Sequence, residues 1–477
     1  MRRKLILLCV TTLLGITIWA NEGKQVIAIL SVNDMHASIE HFPKLAALVD
    51  SLRGEYPSLL ILSAGDNRTG NPLNDAYKEP SYPMTALMNT VGFHASAIGN
   101  HEFDAKVSGF VRQVRRSAFR YLCANVEPAD SIHVLPYQFF DCEGIRIGIL
   151  GLTQLGIHGI PDTHPLNVEG LRFIPAENAI ERYGKEVRSR SDIAILLSHC
   201  GYEHDVALAK RFPDFDLIIG GHTHTRIEGT ELHNGVLITQ AENKLKYATL
   251  IRLVIEDGKV ISKEAQLLPV ANATSSNEFV EEIVRYFSQD ERLEQVLTQA
   301  EAPFNNVEEL GCLMTDALRM ELDADVALQN YGCPRYEQLP AGPITINDVL
   351  RLDPFGNEAI ELSLTGQELA DMILACRLAD GTRPPYVSGI RYEIVVDKQD
   401  REKVRYIKLM NEDGTPLDMK RHYKVATSSY VTAISDSKRQ DQGRKLFKNC
   451  SNLLIDYLSK QSSVNYSGIR RVTEILR

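Results

Sequence analysis

Short apolar runs of strand length alternate with amphipathic stretches along residues 24 to 270. The apolar runs occupy 26–32, 58–65, 146–153, 192–199 and 216–222. Between the first two runs, apolar residues recur at helical spacing, at Phe42, Leu45, Ala46, Val49 and Leu52. Continuous apolar strands separated by helices are typical of a sheet that is covered on both faces. The pattern therefore predicts an α/β fold for this part of the chain.

The pattern changes after about residue 270. A polar, small-residue stretch at 271–278 leads into a charged helical stretch, in which Phe279, Ile283, Tyr286 and Phe287 share one predicted face. This helix fits a connector between domains, and it equally fits a helix that packs on the first domain. We therefore predict a first domain over 21–270, a linker and connecting helix over 271–300, and a second domain over 301–477.

The second domain is also predicted to mix strands and helices. Strand-like segments stand at 325–330, 359–364 and 392–397, with helical stretches between them. Thr365 and Glu368 have the spacing of a capping box, which marks the start of a helix. The chain contains no detectable internal repeat.

Metal-binding side chains follow nearly every predicted strand of the first domain. They are Asp34, His36, Asp66, Asn100, His101, Asp104, His199, His222 and His224. One such residue is ordinarily a helix cap, a turn former or a solvated histidine. Ligands in α/β sheets bind beyond the carboxyl ends of the strands, and acids and imidazoles gathered there would be costly without a cation. The joint pattern therefore predicts a metal centre.

The residue types restrict the metal. In Asp34-Met35-His36, alternate side chains of an extended segment point the same way, and His222-Thr223-His224 has the same spacing. A mixed set of Asp, Asn and His suits Zn, Mn, Fe or Co, whereas Ca and Mg favour sites made mostly of oxygen.

Residues 1–20 have the pattern of a secretory signal peptide. Arg2, Arg3 and Lys4 precede an apolar stretch that ends at the small residue Ala20, and a retained membrane anchor is the alternative interpretation. Removal of this segment takes the formal net charge from -10 to -13, because it carries three positive charges and no acids. A strongly acidic protein argues against a nucleic-acid partner. We therefore expect a secreted protein with no nucleic-acid partner and no stable membrane insertion after signal removal.

Seven cysteines follow this segment at wide, unpatterned spacing, unlike a disulfide framework or a zinc motif. We expect most of them to be buried apolar fillers.

Five blocks carry a family resemblance. "NDMH" (33–36), "AGDNRTGNP" (64–72), "GNHEFD" (99–104), "SHCGYEHD" (198–205) and "GGHTHT" (220–225) occur in the order found in calcineurin-like metallophosphoesterases. They particularly resemble the secreted 5′-nucleotidase family. The resemblance implies an α/β sandwich of two sheets flanked by helices, followed by a mixed α/β substrate-binding domain.

The resemblance also implies a role for each residue of the set. One metal would be held by Asp34, His36 and His224, and a second by Asn100, His199 and His222. Asp66 would bridge the two ions. His101, oriented by Asp104, would stabilise the transition state or assist the leaving group. Glu102 and Phe103 are expected to be structural.

The second domain resembles the substrate-binding domain of the same family through blocks such as "NYGCPR" (330–335) and "DPFGN" (353–357). The resemblance implies that Asn330 and Arg335 bind nucleoside and phosphate, that Phe355 is one of two rings around the base, and that Asp436 contacts the ribose. Lys438 stands where the second ring is expected, and Tyr430 and Phe447 are candidate replacements. The resemblance further implies that this domain rotates to carry substrate to the metals.

Together these features predict a secreted enzyme with two divalent metal ions that releases phosphate from nucleoside 5′-monophosphates. Its partner would be a small-molecule phosphate ester. Hydrolysis of other esters, such as nucleotide sugars, cyclic nucleotides or non-nucleotide phosphates, is the alternative within the enzyme class. The competing class is a non-enzymatic periplasmic ligand-binding protein.

Overall fold

The computed structural model describes residues 24–477, so the signal-peptide prediction for 1–20 lies outside the described residues. The first half of the chain forms two six-stranded sheets and a small two-stranded sheet. Its strands are β1 Lys24–Val32, β2 Leu60–Ser63, β3 Ala95–Ala97, β4 Arg120–Leu122, β5 Val126–Glu127, β6 Tyr137–Cys142, β7 Ile145–Thr153, β8 Arg172–Phe173, β9 Ile193–His199, β10 Leu217–Ile219, β11 Glu231–His233, β12 Val236–Thr239, β13 Tyr247–Glu256 and β14 Lys259–Pro269. The strands β5 and β8 form the small sheet.

Helices cover the outer faces of these sheets. They are α1 Phe42–Glu55, α2 Pro72–Asp75, α3 Tyr82–Val91, α4 Lys106–Arg116, α5 Ala176–Ser189, α6 Tyr202–Arg211 and α7 Glu278–Phe287. Short 3-10 turns occupy Ile39–His41, His101–Phe103, Ala129–Ile132 and Pro165–Val168.

The two sheets pack face to face. The first has the order β14-β13-β1-β2-β3-β4, and the second the order β11-β12-β10-β9-β7-β6. β1 to β4 are parallel in the first sheet, as are β12, β10, β9 and β7 in the second. Ile29 and Leu62 of one sheet share a buried core with Ile147, Ile195 and neighbours of the other. The predicted α/β sandwich is confirmed, and the parallel strands direct their carboxyl ends to one edge.

The second half is a mixed α/β unit. Its strands are β15 Val296–Ala300, β16 Val326–Gln329, β17 Gly342–Thr345, β18 Glu358–Thr365, β19 Tyr386–Ser388, β20 Ile390–Val396, β21 Val404–Asn411, β22 His422–Ser428, β23 Arg444–Asn449, β24 Ser463–Val464 and β25 Val472–Leu476. Its helices are α8 Val307–Glu321, α9 Ile346–Leu352, α10 Gly366–Ala379, α11 Ser429–Ile434 and α12 Cys450–Ser459, and a 3-10 turn spans Glu291–Glu294.

A five-stranded sheet of order β19-β16-β22-β18-β23 forms the centre of this unit, and two three-stranded sheets flank it. The predicted capping box is present: the Thr365 side chain and the Glu368 carboxylate each bond the other's backbone N–H at the start of α10. Mixed α/β structure in the second half was predicted from the same alternation of strands and helices, and it is confirmed.

The connecting helix α7 packs on the first half, against α1 and α3. The apolar residues predicted to share one face of this helix differ in burial. Val280 and Phe287 are buried, whereas Phe279 and Tyr286 are 66% and 65% exposed. The helix begins at Glu278 and ends at Phe287, and packing against α1 and α3 turns the side of Val280 inward.

All seven cysteines of the described residues are free and buried, as expected for apolar fillers. Over the same residues, no helix combines the length and the apolar character that a membrane crossing requires.

Candidate metal centre

The predicted ligands lie at the carboxyl ends of five parallel strands. Asp34 and His36 follow β1, Asp66 follows β2, Asn100 follows β3, His199 ends β9, and His222 and His224 follow β10. Because the two sheets pack with these strand ends at one edge, side chains that are 188 residues apart in sequence, such as His36 and His224, meet there. Asp34 and His199 are completely buried.

The first group of ligand atoms comes from Asp34, His36 and His224, whose donor atoms all lie within 4.8 Å of one another. The Nε2 atoms of His36 and His224 are 3.0 Å apart, and His224 Nε2 is 3.5 Å from Asp34 Oδ1. Metal–nitrogen bonds of about 2.1 Å separate two ligands of one ion by about 3.0 to 3.4 Å. The observed spacings fit a shared cation.

The second group surrounds His199. Its Nδ1 donates to the Ala64 carbonyl at 2.7 Å, which leaves Nε2 facing Asp66 Oδ2 at 3.2 Å. Nε2 is buried and has no hydrogen-bond partner among the described residues. Asn100 Oδ1 and His222 Nδ1 lie 3.1 Å apart beside it. A buried imidazole nitrogen without a partner, next to carboxylate and amide oxygens, is chemically suited to a divalent ion.

The pKa values of Asp66 and His199 indicate that this group favours a positive charge. Burial alone would raise the pKa of Asp66, but His199 and His101 hold it well below its ordinary value. Burial alone would lower the pKa of His199, but Asp66 and Asp34 raise it to about 10. The buried Asp34 and Asp66 carboxylates therefore favour a positive charge in the space between them.

The backbone at the ligands is held in a sparsely populated conformation. Asp34, His36, Asp66, His222 and His224 all have φ between 46° and 77°, in the left-handed region. Such conformations cost about 1 to 3 kcal/mol each for residues with a side chain, and they cluster at functional sites. Five of the seven predicted ligands therefore have this strained backbone, whereas Asn100 has φ -69°.

Glu102 supports two of these strand-end turns, a role that the sequence did not specify. Its buried carboxylate accepts from the backbone N–H groups of Asp66 (3.0 Å), Asn67 (2.9 Å) and Gly99 (2.7 Å). It thereby joins the turn after β2 to the turn after β3. The position of Glu102 inside "GNHEFD" gave only a general expectation of a structural residue.

His101 lies beside the predicted ligands, with a carboxylate near each of its ring nitrogens. Its Nδ1 is 2.8 Å from Asp104 Oδ2, and its Nε2 is 3.9 Å from Asp66 Oδ2. Burial alone would lower the pKa of His101, but Asp66 and Asp104 raise it above its ordinary value. The Asp104 carboxylate accepts a hydrogen bond from Nδ1–H, so Nε2 is the atom that faces the centre.

The second half of the chain brings Arg335 to the centre. Its Nη2 lies 3.0 Å from His36 Nε2, and its guanidinium carbon is 5.7 Å from the centroid of the Phe355 ring. Phe355 in turn stacks on His101, with ring centroids 5.8 Å apart and planes at 22°. Both predicted residues therefore adjoin the metal centre.

A cavity of about 770 Å³ opens between the two halves and includes the centre. Asn330, Arg335 and Phe355 line it, as do Tyr331, Asp380, Arg383 and Tyr430. Asn330 Nδ2 donates to Asp380 Oδ2 at 3.2 Å. Asp380 and Arg383 were not predicted from the sequence, because no motif marks the loop that carries them.

The structure does not bring Asp436 into this cavity. Asp436 and Lys438 are exposed and do not line it. They follow the end of α11 at Ile434, where the chain turns away toward the surface. Tyr430, one of the two candidate replacements for the second ring, lies near the start of α11 and lines the cavity, whereas Phe447 is 83% exposed.

Comparison with known proteins agrees with this architecture. Residues 27–226 match the family model for calcineurin-like phosphoesterases, and residues 289–438 match the model for the 5′-nucleotidase C-terminal domain. The chain is 27% identical to protein UshA of Yersinia enterocolitica, over 96% of this chain and 95% of the relative. It is 25% identical to a 5′-nucleotidase of Vibrio cholerae, over 96% and 94%.

Solved structures share the fold over both halves. A 5′-nucleotidase precursor from Thermus thermophilus matches with a TM-score of 0.83 at 23% identity, covering 95% of this chain and 100% of the other. The sulfate thiohydrolase SoxB of Thermus thermophilus matches at 0.78 and 18% identity, covering 94% and 97%. At these identities the likeness concerns the fold.

The first half is thus a calcineurin-like phosphoesterase domain with candidate metal ligands at its strand ends. The second half matches the 5′-nucleotidase C-terminal domain, and relatives that share both halves over nearly their whole length include 5′-nucleotidases. The predicted family is confirmed, and so is the prediction that the chain is a phosphoesterase-type enzyme.

Proposed function

We propose that this protein is a secreted phosphohydrolase with two divalent metal ions, which releases phosphate from nucleoside 5′-monophosphates. The observation that carries the proposal is the approach of Arg335 to the metal centre across the two halves, 3.0 Å from His36. A guanidinium beside a cluster of Asp, Asn and His ligands forms a site for a phosphoryl group, whose oxygens take bidentate hydrogen bonds from arginine.

One ion would be held by Asp34, His36 and His224, the other by Asn100, His199 and His222, with Asp66 between them. The close spacing of the ligand atoms and the free Nε2 of His199 support this assignment. When bound, two divalent ions would supply Lewis-acid activation of a water and of the phosphoryl oxygens. Zn, Mn, Fe and Co all fit the mixed nitrogen and oxygen ligand set.

The residues of the chain would divide the remaining work. His101 Nε2 would donate a proton or hydrogen bond to the leaving oxygen, while Asp104 holds the proton of Nδ1 and thereby the orientation of the ring. Arg335 would bind phosphoryl oxygens. The strand-end backbone holds the ligands in place before substrate arrives, so that little reorganisation is needed.

The nucleoside would occupy the cavity between the halves. Phe355 and Tyr430 both line this cavity and offer aromatic faces, and Asn330 adds an amide group. Stacking of a base on an aromatic ring contributes about 1 to 3 kcal/mol. The proposal does not extend to Asp436, since that residue is exposed.

Secretion and the domain boundaries belong to the same proposal. The basic and apolar composition of residues 1–20 supports export, and the periplasm is the proposed location. A boundary within 271–300 is supported by the end of β14 at Pro269 and the start of β15 at Val296. Mass spectrometry of the exported protein should find the mature chain beginning after Ala20; a chain that retains Met1 would contradict processing.

The decisive experiment measures phosphate release by the mature protein with Mn or Zn. The panel contains nucleoside monophosphates, a nucleotide sugar, a cyclic nucleotide and an aryl phosphate, each tested with His101→Ala and Arg335→Ala variants. We expect a preference for nucleoside monophosphates that Arg335→Ala abolishes.

Activity on the aryl phosphate alone, lost with His101→Ala but indifferent to Arg335, would contradict the nucleotide specificity and retain the phosphoesterase reaction. Two metals per chain without any hydrolysis would instead favour the ligand-binding alternative.

A further inference from the structure

The segment 241–245 lies against the proposed metal ligands and holds a left-handed backbone at Glu242, Lys244 and Leu245. The Lys244 N–H donates to the Asp34 carbonyl at 2.8 Å. Asn243 Nδ2 lies 3.0 Å from His224 Nδ1. The position of this segment is therefore tied to two residues of the first metal group.

The Lys244 side chain leaves this segment and crosses to the second half of the chain. Its Nζ donates to the backbone carbonyl of Arg335 at 2.8 Å and lies 5.8 Å from the centroid of the Tyr336 ring. Arg335 is thus held at three points: its carbonyl by Lys244, its backbone N–H by the Leu352 carbonyl at 3.0 Å, and its guanidinium at His36.

Two other contacts between the halves do not involve the proposed metal ligands or Arg335. Arg351 pairs with Glu40 at 2.7 Å, and His158 Nε2 lies 3.1 Å from the Ile434 carbonyl. Lys244 alone among these three joins a segment bonded to metal ligands with the residue that reaches the centre.

We propose that Lys244 is a positioning residue for the phosphoryl site, which sets the place of Arg335 relative to the metals. This inference rests on the proposed role of Arg335 in binding substrate. The arginine side chain is long and flexible, so the direction of its guanidinium depends on where its backbone is held. A hydrogen bond from Lys244 to that backbone limits this freedom before substrate binds.

The test compares Lys244→Met with Lys246→Met as the matched control. Lys246 lies two residues after Lys244, just beyond the segment, and its ammonium pairs with Glu242 of the first half at 2.5 Å. Loss of one hydrogen bond at Lys244 should lower kcat/KM for a nucleoside monophosphate about tenfold, mainly through KM. Lys246→Met should stay within about twofold of the unchanged protein, since a surface ion pair contributes little.

A double variant tests directly whether Lys244 acts through Arg335. In an Arg335→Ala background, Lys244→Met should cause no further loss, because the group that it positions is already absent. Lys244→Arg keeps a donor and should retain most of kcat/KM, and it serves as the second variant if Lys244→Met folds poorly. A full tenfold loss in the Arg335→Ala background, or an unchanged KM in Lys244→Met, would overturn the proposal.

Hydrogen exchange separates this inference from the proposed function, since it requires no substrate. Peptides that contain residues 331–336 of the full, metal-loaded protein should exchange faster in Lys244→Met than in Lys246→Met. If Lys244→Met exchanged faster but the protein hydrolysed no nucleotide, the positioning role of Lys244 would be supported and only the proposed nucleotide specificity would be wrong. Equal exchange in the two variants would overturn the positioning role itself.

Discussion

At the scale of single residues, the least expected feature of the site is the number of backbone groups that Glu102 holds. Its carboxylate accepts three backbone N–H groups from the turns that carry Asp66 and Gly99. A glutamine of the same shape would present an NH₂ group to one or more of these donors. A buried donor without an acceptor costs about 1 to 3 kcal/mol.

We therefore expect Glu102→Gln to lower the free energy of unfolding by about that amount and metal affinity about 10- to 100-fold. Urea unfolding and calorimetric titration with Mn or Zn measure the two effects. Glu169→Gln, at an exposed position, is the control. Unchanged metal affinity in Glu102→Gln would show that the turns keep their places without the carboxylate.

Asp353 gives a prediction for pH that is independent of the metals. It is buried, and burial raises its pKa to about 7 from an ordinary value of 3.8. The pKa of Asp353 is thus higher in the folded protein than in the unfolded chain. Between about pH 4 and about pH 7 the folded protein keeps a proton that the unfolded chain has lost, so the free energy of unfolding falls as pH rises through this range.

Asp353→Asn removes that loss. We expect the variant to gain stability relative to the unchanged protein between about pH 4.5 and about pH 8, by at most about 4 kcal/mol. Urea unfolding at several pH values measures the difference, with the exposed Asp400→Asn as control. A constant difference across this range would show that Asp353 is ionised in the folded protein.

At the scale of elements, the sequence predicted the first half well for a physical reason. Buried parallel strands are continuous apolar runs, so β1, β7 and β9 stand out from their surroundings, and the polar groups after them are easily located. The short strand β3, Ala95–Ala97, is less distinct, but the dense motif that follows it reveals its end. The residues of a site at strand ends directly follow apolar runs. The hydrophobic pattern that predicts the strands therefore also locates the site residues.

The second half was less predictable because only part of its site follows strands directly: Asn330 follows β16, whereas Phe355 and Arg383 lie in loops after helices. Tyr430 reaches the cavity from the start of α11, while Asp436 and Lys438, only six and eight residues later, point away. Whether a loop residue faces the cavity depends on how a helix packs, which spacing along the chain does not specify. Lys244 and Arg383 were missed for the same reason. Which side of the apolar face of α7 becomes buried depends on how the helix packs against α1 and α3, which the sequence does not specify.

The turn after β3 permits a direct test of how closely the elements pack. A Cβ atom on Gly99 would stand 2.1 Å from Asp66 Oδ1 and 2.5 Å from the Asp66 backbone nitrogen. Such contacts force one turn to move, at a typical cost of about 1 to 3 kcal/mol. We expect Gly99→Ala to be destabilised by that amount and to lose bound metal in elemental analysis.

The matched substitution is Gly54→Ala in α1, where a Cβ would have no neighbour within 4 Å. Alanine favours a helix over glycine by about 1 kcal/mol, so this variant should be as stable as the unchanged protein or more so. If Gly99→Ala bound metal as well as Gly54→Ala, the turn would have room that the structure does not show.

At the scale of the whole molecule, the centre is completed only where the two halves meet. The phosphoesterase half supplies the proposed ligands, and the C-terminal half supplies Arg335 and Phe355. Each half has its own buried cores. The halves can therefore differ in stability, and a ligand of one half need not stabilise the other equally.

Metal removal tests this division. An ion present at about 100 times its dissociation constant adds about 2.7 kcal/mol to the stability of the part that binds it. We expect a chelator to lower the Tm of the phosphoesterase half by about 5 to 10 °C. Calorimetry of the full chain should show that transition moving down, while the transition of the C-terminal half shifts less.

Two variants connect this shift to the assigned roles. Asp66→Asn weakens a group that the proposal places between both ions, so its Tm should respond little to chelation. His101→Ala removes a residue that the proposal places beside the ions without binding them, so its Tm should fall on chelation as far as that of the unchanged protein. If His101→Ala also abolished the response, His101 would be a ligand, and the separation between the residues that hold metal and the one that assists the leaving group would be wrong.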